Sequence, residues 1–119
     1  MTLKNCYIEL GGDYADVLGR LMSEELVKKF VLMFLKDTSY ETLCRSCEKK
    51  DAQEAFRAVH TLKGVCQNLG FTPLFESCFS LTEALRGREF PDNLEELLEK
   101  VTRDYQRTIS AVSKLEKEG

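Results

Sequence analysis

His60 is the only histidine in the 119-residue chain, and its neighbours limit what it can do. On a helix, His60, Lys63, Gly64 and Gln67 fall at i, i+3, i+4 and i+7 and form one stripe. An imidazole of ordinary pKa, about 6.5, is largely neutral near pH 7, and its free ring nitrogen is a nucleophile. Lys63, one turn along, offers a charge to offset negative charge arriving on that nitrogen. Gly64 leaves a gap beside the ring. A glycine inside a helix costs about 1 kcal/mol relative to alanine, so the gap wants a reason. Nucleophile, cation and gap together suit a phosphoryl group handed to and from a second protein. A small-molecule active site is a poor fit, because nothing in the spacing encloses one. Taken singly, each residue has a plainer use: an exposed histidine, a solvated lysine, a glycine for close packing. Their joint spacing favours the chemistry.

The elements that must carry this stripe are helical. Asp51 with Glu54 makes a capping signal that opens the histidine helix, and Gly70 closes it. Ala52, Ala55, Val59, Leu62, Cys66 and Leu69 form an apolar stripe beside the histidine stripe, so His60 is expected at the edge of a core. Phe71-Thr72-Pro73 marks the next boundary, with Thr72 expected as N-cap and Pro73 at the first helical position. That helix is expected to reach about Arg86, with Leu74, Cys78, Leu81 and Leu85 inward and Gly87 ending it. Phe75, Phe79, Thr82 and Arg86 flank its core face. Packed against the histidine helix, Phe75 or Phe79 would join Phe56 in an apolar docking rim; alternatively both phenylalanines tuck under residues 13–36.

Before these, residues 1–12 read as an arm, with Cys6-Tyr7-Ile8-Glu9-Leu10 extended or packed and Gly11-Gly12 ending it. Asp13 can cap a short helix through Arg20 that buries Val17 and Leu18. Ser23 caps another to about Lys36, with Leu26, Phe30, Met33 and Phe34 on one face, widened by Val27 and Val31. Thr38 with Glu41 repeats the capping box and starts a helix over 39–49 that uses Tyr40, Leu43, Cys44 and Cys47. Asp92 with Glu95 opens the last helix, whose seam runs from Leu94 through Val101 and Ile109 to Leu115. Short loops make neighbours antiparallel. The expected architecture is an all-α, antiparallel up-down four-helix bundle over residues 13–117, with one or two N-terminal covering helices.

Length and composition exclude several function classes. One domain of this size can build a core without metal or disulfide help. Hydrophobic content of 43% and charged content of 31% are ordinary for a globular chain. A net charge of −3 gives no basic footprint for nucleic acid. No apolar run approaches 18 residues, so no membrane span is expected, and the N-terminus lacks a signal-peptide apolar region, which points to the cytoplasm. The five cysteines are odd in number. Cys44-x-x-Cys47 invites a zinc or redox interpretation, but Cys44, Cys47, Cys66 and Cys78 lie on apolar stripes, where free cysteine acts as a small hydrophobe. No metal is therefore expected.

His60-Thr61-Leu62-Lys63-Gly64, preceded by Ala58 and closed by Leu69-Gly70, resembles the histidine-containing phosphotransfer (HPt) domain family of two-component phosphorelays. The similarity covers about residues 13–116. It implies a four-helix bundle, phosphorylation of His60, and support from Lys63 and Gly64. Implied partners are response-regulator receiver domains and a hybrid sensor histidine kinase, docking over Phe56, Arg57, Gln67, Phe75, Phe79 and Thr82. Two positions depart from the family pattern. Thr82 stands where many relatives carry a glutamine or glutamate that hydrogen-bonds the histidine ring, and Gln67 stands where a small residue is usual. No cofactor is expected, and Mg²⁺ would belong to the partner receiver. No glycine-rich nucleotide loop is present, so ATP-dependent autokinase activity is not expected. A monomer is expected, and Met1 with the short tails favours a free-standing protein over a fragment of a larger kinase. The alternative is a helical docking or inhibitory module that keeps the fold without the relay.

Overall fold

Seven α-helices and one 3-10 turn account for the regular structure in a computed structural model, which describes residues 1–118. In order they are α1 (Leu3–Leu10), α2 (Tyr14–Leu21), α3 (Glu24–Met33, running into the 3-10 turn Phe34–Lys36), α4 (Ser39–Glu48), α5 (Ala52–Leu69), α6 (Thr72–Ala84) and α7 (Leu94–Glu118). Most starts are fixed by side chains that accept otherwise orphaned backbone N–H groups. Asp51 accepts from the Glu54 amide at 3.1 Å, Asp13 from Asp16 at 3.0 Å and Ser23 from Leu26 at 3.2 Å. Three starts differ from expectation, among them α7, which begins at Leu94 directly after Asn93, with no capping bond to Asp92 among the described residues. Thr38 makes no side-chain cap; Asp37 instead accepts from the Ser39 amide at 2.8 Å. Thr72 is already the first residue of α6, with Phe71 at the cap position. Pro73 still falls where a missing N–H costs nothing.

Helices α4 to α7 form the bundle. Each packs against the next, and the short connections make neighbours antiparallel. At 1.5 Å per residue, the 25 residues of α7 span about 37 Å, close to the molecule's longest dimension of 40 Å. That helix therefore runs the whole length and receives α6 on one side and α1 on another. Tyr40 of α4 closes the ring of helices: it stacks on Tyr105 at 4.0 Å between centroids and shares a 2.8 Å hydrogen bond with Thr102. None of the described helices is long and apolar enough to cross a membrane.

The expected arm is itself a helix, so three short helices precede the bundle. Leu3, Cys6, Tyr7 and Leu10 of α1 are buried, and the helix lies along α7. Their 3/4 spacing is an amphipathic pattern only two turns long, too short to stand out in the sequence. The Tyr7 hydroxyl donates to the Leu69 carbonyl at 2.6 Å, joining the first helix to the end of the histidine helix. Tyr7→Phe leaves that carbonyl unpaired in the interior, and urea denaturation is expected to show a loss of about 1–2 kcal/mol.

Only part of the wide face expected for α3 and its 3-10 turn faces the core. Val27, Val31 and Phe34 are buried, whereas Leu26, Phe30 and Met33 turn outward. Both stripes are apolar, so spacing alone could not choose between them.

All five cysteines are free; Cys6, Cys66 and Cys78 are buried, Cys44 and Cys47 half-buried. Burial, with a smaller push from Glu9, raises the Cys6 thiol to about 11, and burial also raises Tyr7 and Cys66. These groups stay protonated in the fold, whereas in the unfolded chain a thiol ionises from its ordinary value of 9.0. The unfolded state then binds fewer protons, so stability falls as pH rises from 9 towards 11. Equilibrium unfolding across that range is expected to show a steady decline, and a flat profile would contradict this account.

Candidate functional site

Helix α5 holds His60 by burying one face and exposing the other. Ala55, Val59, Leu62 and Cys66 are fully buried, while His60 is exposed. At 100° per residue Leu62 lies about 160° from His60, so the packed stripe anchors the helix and aims the imidazole outward. The far end is pinned as well. Gly70 adopts φ +68°, and a Cβ there would sit 2.8 Å from the Asp13 carbonyl oxygen. Only glycine allows that approach, which lets the Asp13 amide donate to the Gly70 carbonyl at 2.8 Å. Arg20 of α2 donates to the carbonyls of Asn68 (2.8 Å) and Gln67 (3.3 Å), placing a cation at the negative end of α5.

Around His60 the side chains fall into distinct groups. Phe56, expected in the docking rim, is instead buried at the edge of the core one turn before His60, and lies parallel to the imidazole with centroids 5.8 Å apart and an interplanar angle of 7°. The Arg88 guanidinium sits 3.8 Å from the Phe56 centroid and that of Arg86 sits 5.7 Å from it. Lys63 is half-buried on the α6 side, its ammonium 5.6 Å from the ring centre of Phe79. Hydrogen bonding from Arg86, with a smaller attraction to Lys63, holds the Glu83 carboxyl below its ordinary value. Arg57 is exposed and pairs loosely with Glu54 at 3.8 Å. Among the described residues His60 makes no hydrogen bond and no ion pair.

The remaining positions are split. Gly64 is half-exposed, and a Cβ placed on it would meet nothing within 4 Å. Gln67 is exposed; Phe75 is half-buried; Phe79 is 47% exposed. Phe75 and Phe79 therefore do not tuck fully inward, and Phe79 stands at the surface beside Lys63. Thr82 departs from the expected rim. It is fully buried, and its hydroxyl donates to the Cys78 carbonyl of its own helix at 2.7 Å. A hydroxyl satisfied one turn back has no proton left for an imidazole, so Thr82 neither orients the ring nor meets a partner.

Two features were not legible beforehand. Arg88 reaches Phe56 from beyond α6, a placement set by the turn at 85–88, where it joins Arg86 of the expected flanking stripe. On the other flank of α5, Leu21, Phe30, Met33, Phe34, Val65 and Leu69 line a mostly apolar groove of about 630 Å³. The run Leu26, Phe30, Met33 did carry a signal for it, but that signal reads equally as core.

The arrangement supplies an accessible nucleophilic nitrogen on a rigid helix, cations to one side, and apolar surface to both sides. Among the described residues it has no enclosing walls and lies open to the surface. Comparison with known families agrees in kind: a model described as Hpt domain matches residues 20–114. No match was found among curated proteins or among solved structures.

Proposed function

Because the chain belongs to the Hpt domain family, whose members act in histidine phosphotransfer within phosphorelays, we propose that His60 is its phosphoryl carrier. The observation that supports this most is the state of the sole histidine: exposed on a pinned helix, with no hydrogen bond from the described residues. A receiver domain bearing an aspartyl phosphate docks over α5. An imidazole nitrogen attacks phosphorus, the acyl P–O bond breaks, and the receiver's carboxylate leaves. Transfer to the next receiver runs the same bond changes in reverse. Such transfer depends mainly on positioning and on stabilising charge spread over the phosphoryl oxygens.

This chain's residues supply positioning and part of the charge. Lys63 follows His60 by one turn on the α6 side, with its ammonium over Phe79, and can swing from there towards arriving oxygens. Mg²⁺ belongs to the receiver. Phe79, Phe75 and Gln67 form one edge of the docking surface, with Arg57 across the histidine stripe. The groove beside Val65 gives the opposite edge an apolar hold for a receiver helix. One chain acts per receiver, without ATP and without a cofactor of its own.

The test incubates the purified protein with phosphorylated receivers of its own genome and, separately, with ATP alone. Label is expected on the protein only from receivers, in an acid-labile and alkali-stable form. Absence of transfer from every receiver, with tight receiver binding retained, would replace the carrier by a docking module.

A further inference from the structure

Phe56 sits at the edge of the buried face of α5, between the core stripe and the histidine stripe. At 100° per residue it lies about 40° from exposed His60 and about 60° from buried Val59, and only 8% of it is accessible. Besides the core cluster to which it belongs, it meets the imidazole, parallel at 5.8 Å, and two guanidinium groups, Arg88 at 3.8 Å and Arg86 at 5.7 Å. The two arginines are not equivalent. Arg86 is ion-paired with Glu83, whereas Arg88 has no carboxylate within pairing distance among the described residues. Instead Arg88 donates to the Arg86 carbonyl at 2.6 Å, which holds its guanidinium in place.

The backbone tells the same story. Arg88 adopts φ +62°, a left-handed conformation that glycine or asparagine takes with less strain. Its amide closes the turn onto the Leu85 carbonyl at 2.8 Å. The turn would be easier to form with glycine at 88, so the residue type answers to the side chain, and that side chain lies on Phe56. With Thr82 buried and bonded to its own helix, no described side chain fixes the imidazole by a hydrogen bond.

From this stack we infer that Arg88 and Phe56 are positioning residues for His60: the guanidinium clamps the phenyl ring, and the phenyl ring sets the plane of the imidazole. The stack does the work that a hydrogen bond to the ring would otherwise do, and it leaves both ring nitrogens unblocked. The outward nitrogen is then presented to phosphorus in one orientation. The inference rests on the carrier role of His60, and its test is independent of any receiver.

Having one histidine makes that test clean. The ring protons of His60 give a single set of resonances in proton NMR, displaced by the ring current of Phe56. Arg88→Gly and Arg88→Ala are expected to move those resonances towards free histidine, with the melting temperature nearly unchanged in Arg88→Gly, where relief of the positive φ offsets the lost contact, and slightly lower in Arg88→Ala. Arg88→Lys, which retains the cation, is expected to move them less. The same variants are then treated with phosphoramidate. There an imidazole nitrogen attacks phosphorus, the P–N bond breaks, ammonia leaves, and the ring N–H proton passes to solvent. Wild type is expected to give one phosphohistidine isomer in phosphorus NMR. Arg88→Gly and Arg88→Ala are expected to give a mixture, labelling about two- to fivefold more slowly, the fold-change equivalent to an exposed cation–π contact of about 0.5–1 kcal/mol. Resonances, isomer ratio and rate all matching wild type in both variants would overturn the proposal. Ring resonances that respond to Arg88, in a protein no receiver phosphorylates, would uphold the stack and remove the carrier role instead.

Discussion

His60→Gln is expected to abolish phosphoryl transfer from receivers while leaving the bundle intact. The loss should be complete because the chain holds no other imidazole, and serine or threonine oxygens form esters of opposite acid and alkali stability. The fold should survive because the side chain is exposed and bonded to nothing among the described residues. What it does contribute is its parallel contact with Phe56, so the cost to stability is about 1 kcal/mol or less. Far-UV circular dichroism and a melting curve check the fold; label retained on the protein after receiver incubation checks the function. Lys63→Ala is the contrast. It keeps the nucleophile and removes one solvent-screened charge, so transfer should slow without vanishing. A His60→Gln protein that labels as wild type does would place the phosphoryl group elsewhere and end the carrier account.

How much of this was written in the sequence depends on whether a feature is local. Caps at Asp13, Ser23 and Asp51 act over three residues, and they formed where expected. The outward direction of His60 follows from its angle to Val59, Leu62 and Cys66, which one helix settles by itself. Features decided between helices were hidden. The two apolar stripes of α3 compete for the core, and only packing against α5 and α7 selects Val27, Val31 and Phe34. Thr82 looked like a rim residue because it flanks the core stripe of α6; close packing of α6 on α5 instead buries it. Arg88 gave no periodic signal at all, since a left-handed turn returns it over Phe56. The candidate site was thus legible along α5 and only partly so where a second element contributes: Phe79 stands at the surface beside Lys63 as its spacing allowed, whereas Thr82 and Arg88 do not follow from spacing.

Gly64 provides the second large effect, because there stability and function should move in opposite directions. It is an interior residue of α5 with no positive φ, and an added Cβ would have nothing within 4 Å. Backbone strain and close packing, the two usual structural reasons for glycine, are therefore both absent. Gly64→Ala is expected to stabilise the protein by up to about 1 kcal/mol, since alanine restricts the unfolded chain and favours helix. Gly64→Gln should fold at least as well as wild type. Its side chain, however, would project about 40° from the imidazole on the same exposed face, where a docking receiver must bring its phosphoryl group within bonding distance. A displacement of about 1 Å in such an approach can cost on the order of 100-fold in rate. Transfer to Gly64→Gln should accordingly fall between roughly tenfold and a hundredfold, and transfer to Gly64→Ala far less. Phosphoramidate, being small, should label both variants nearly as fast as wild type. That pairing separates an obstructed partner from a damaged nucleophile. Receiver-dependent transfer at the wild-type rate in a folded Gly64→Gln protein would show that the gap beside His60 does not serve the approach of a partner.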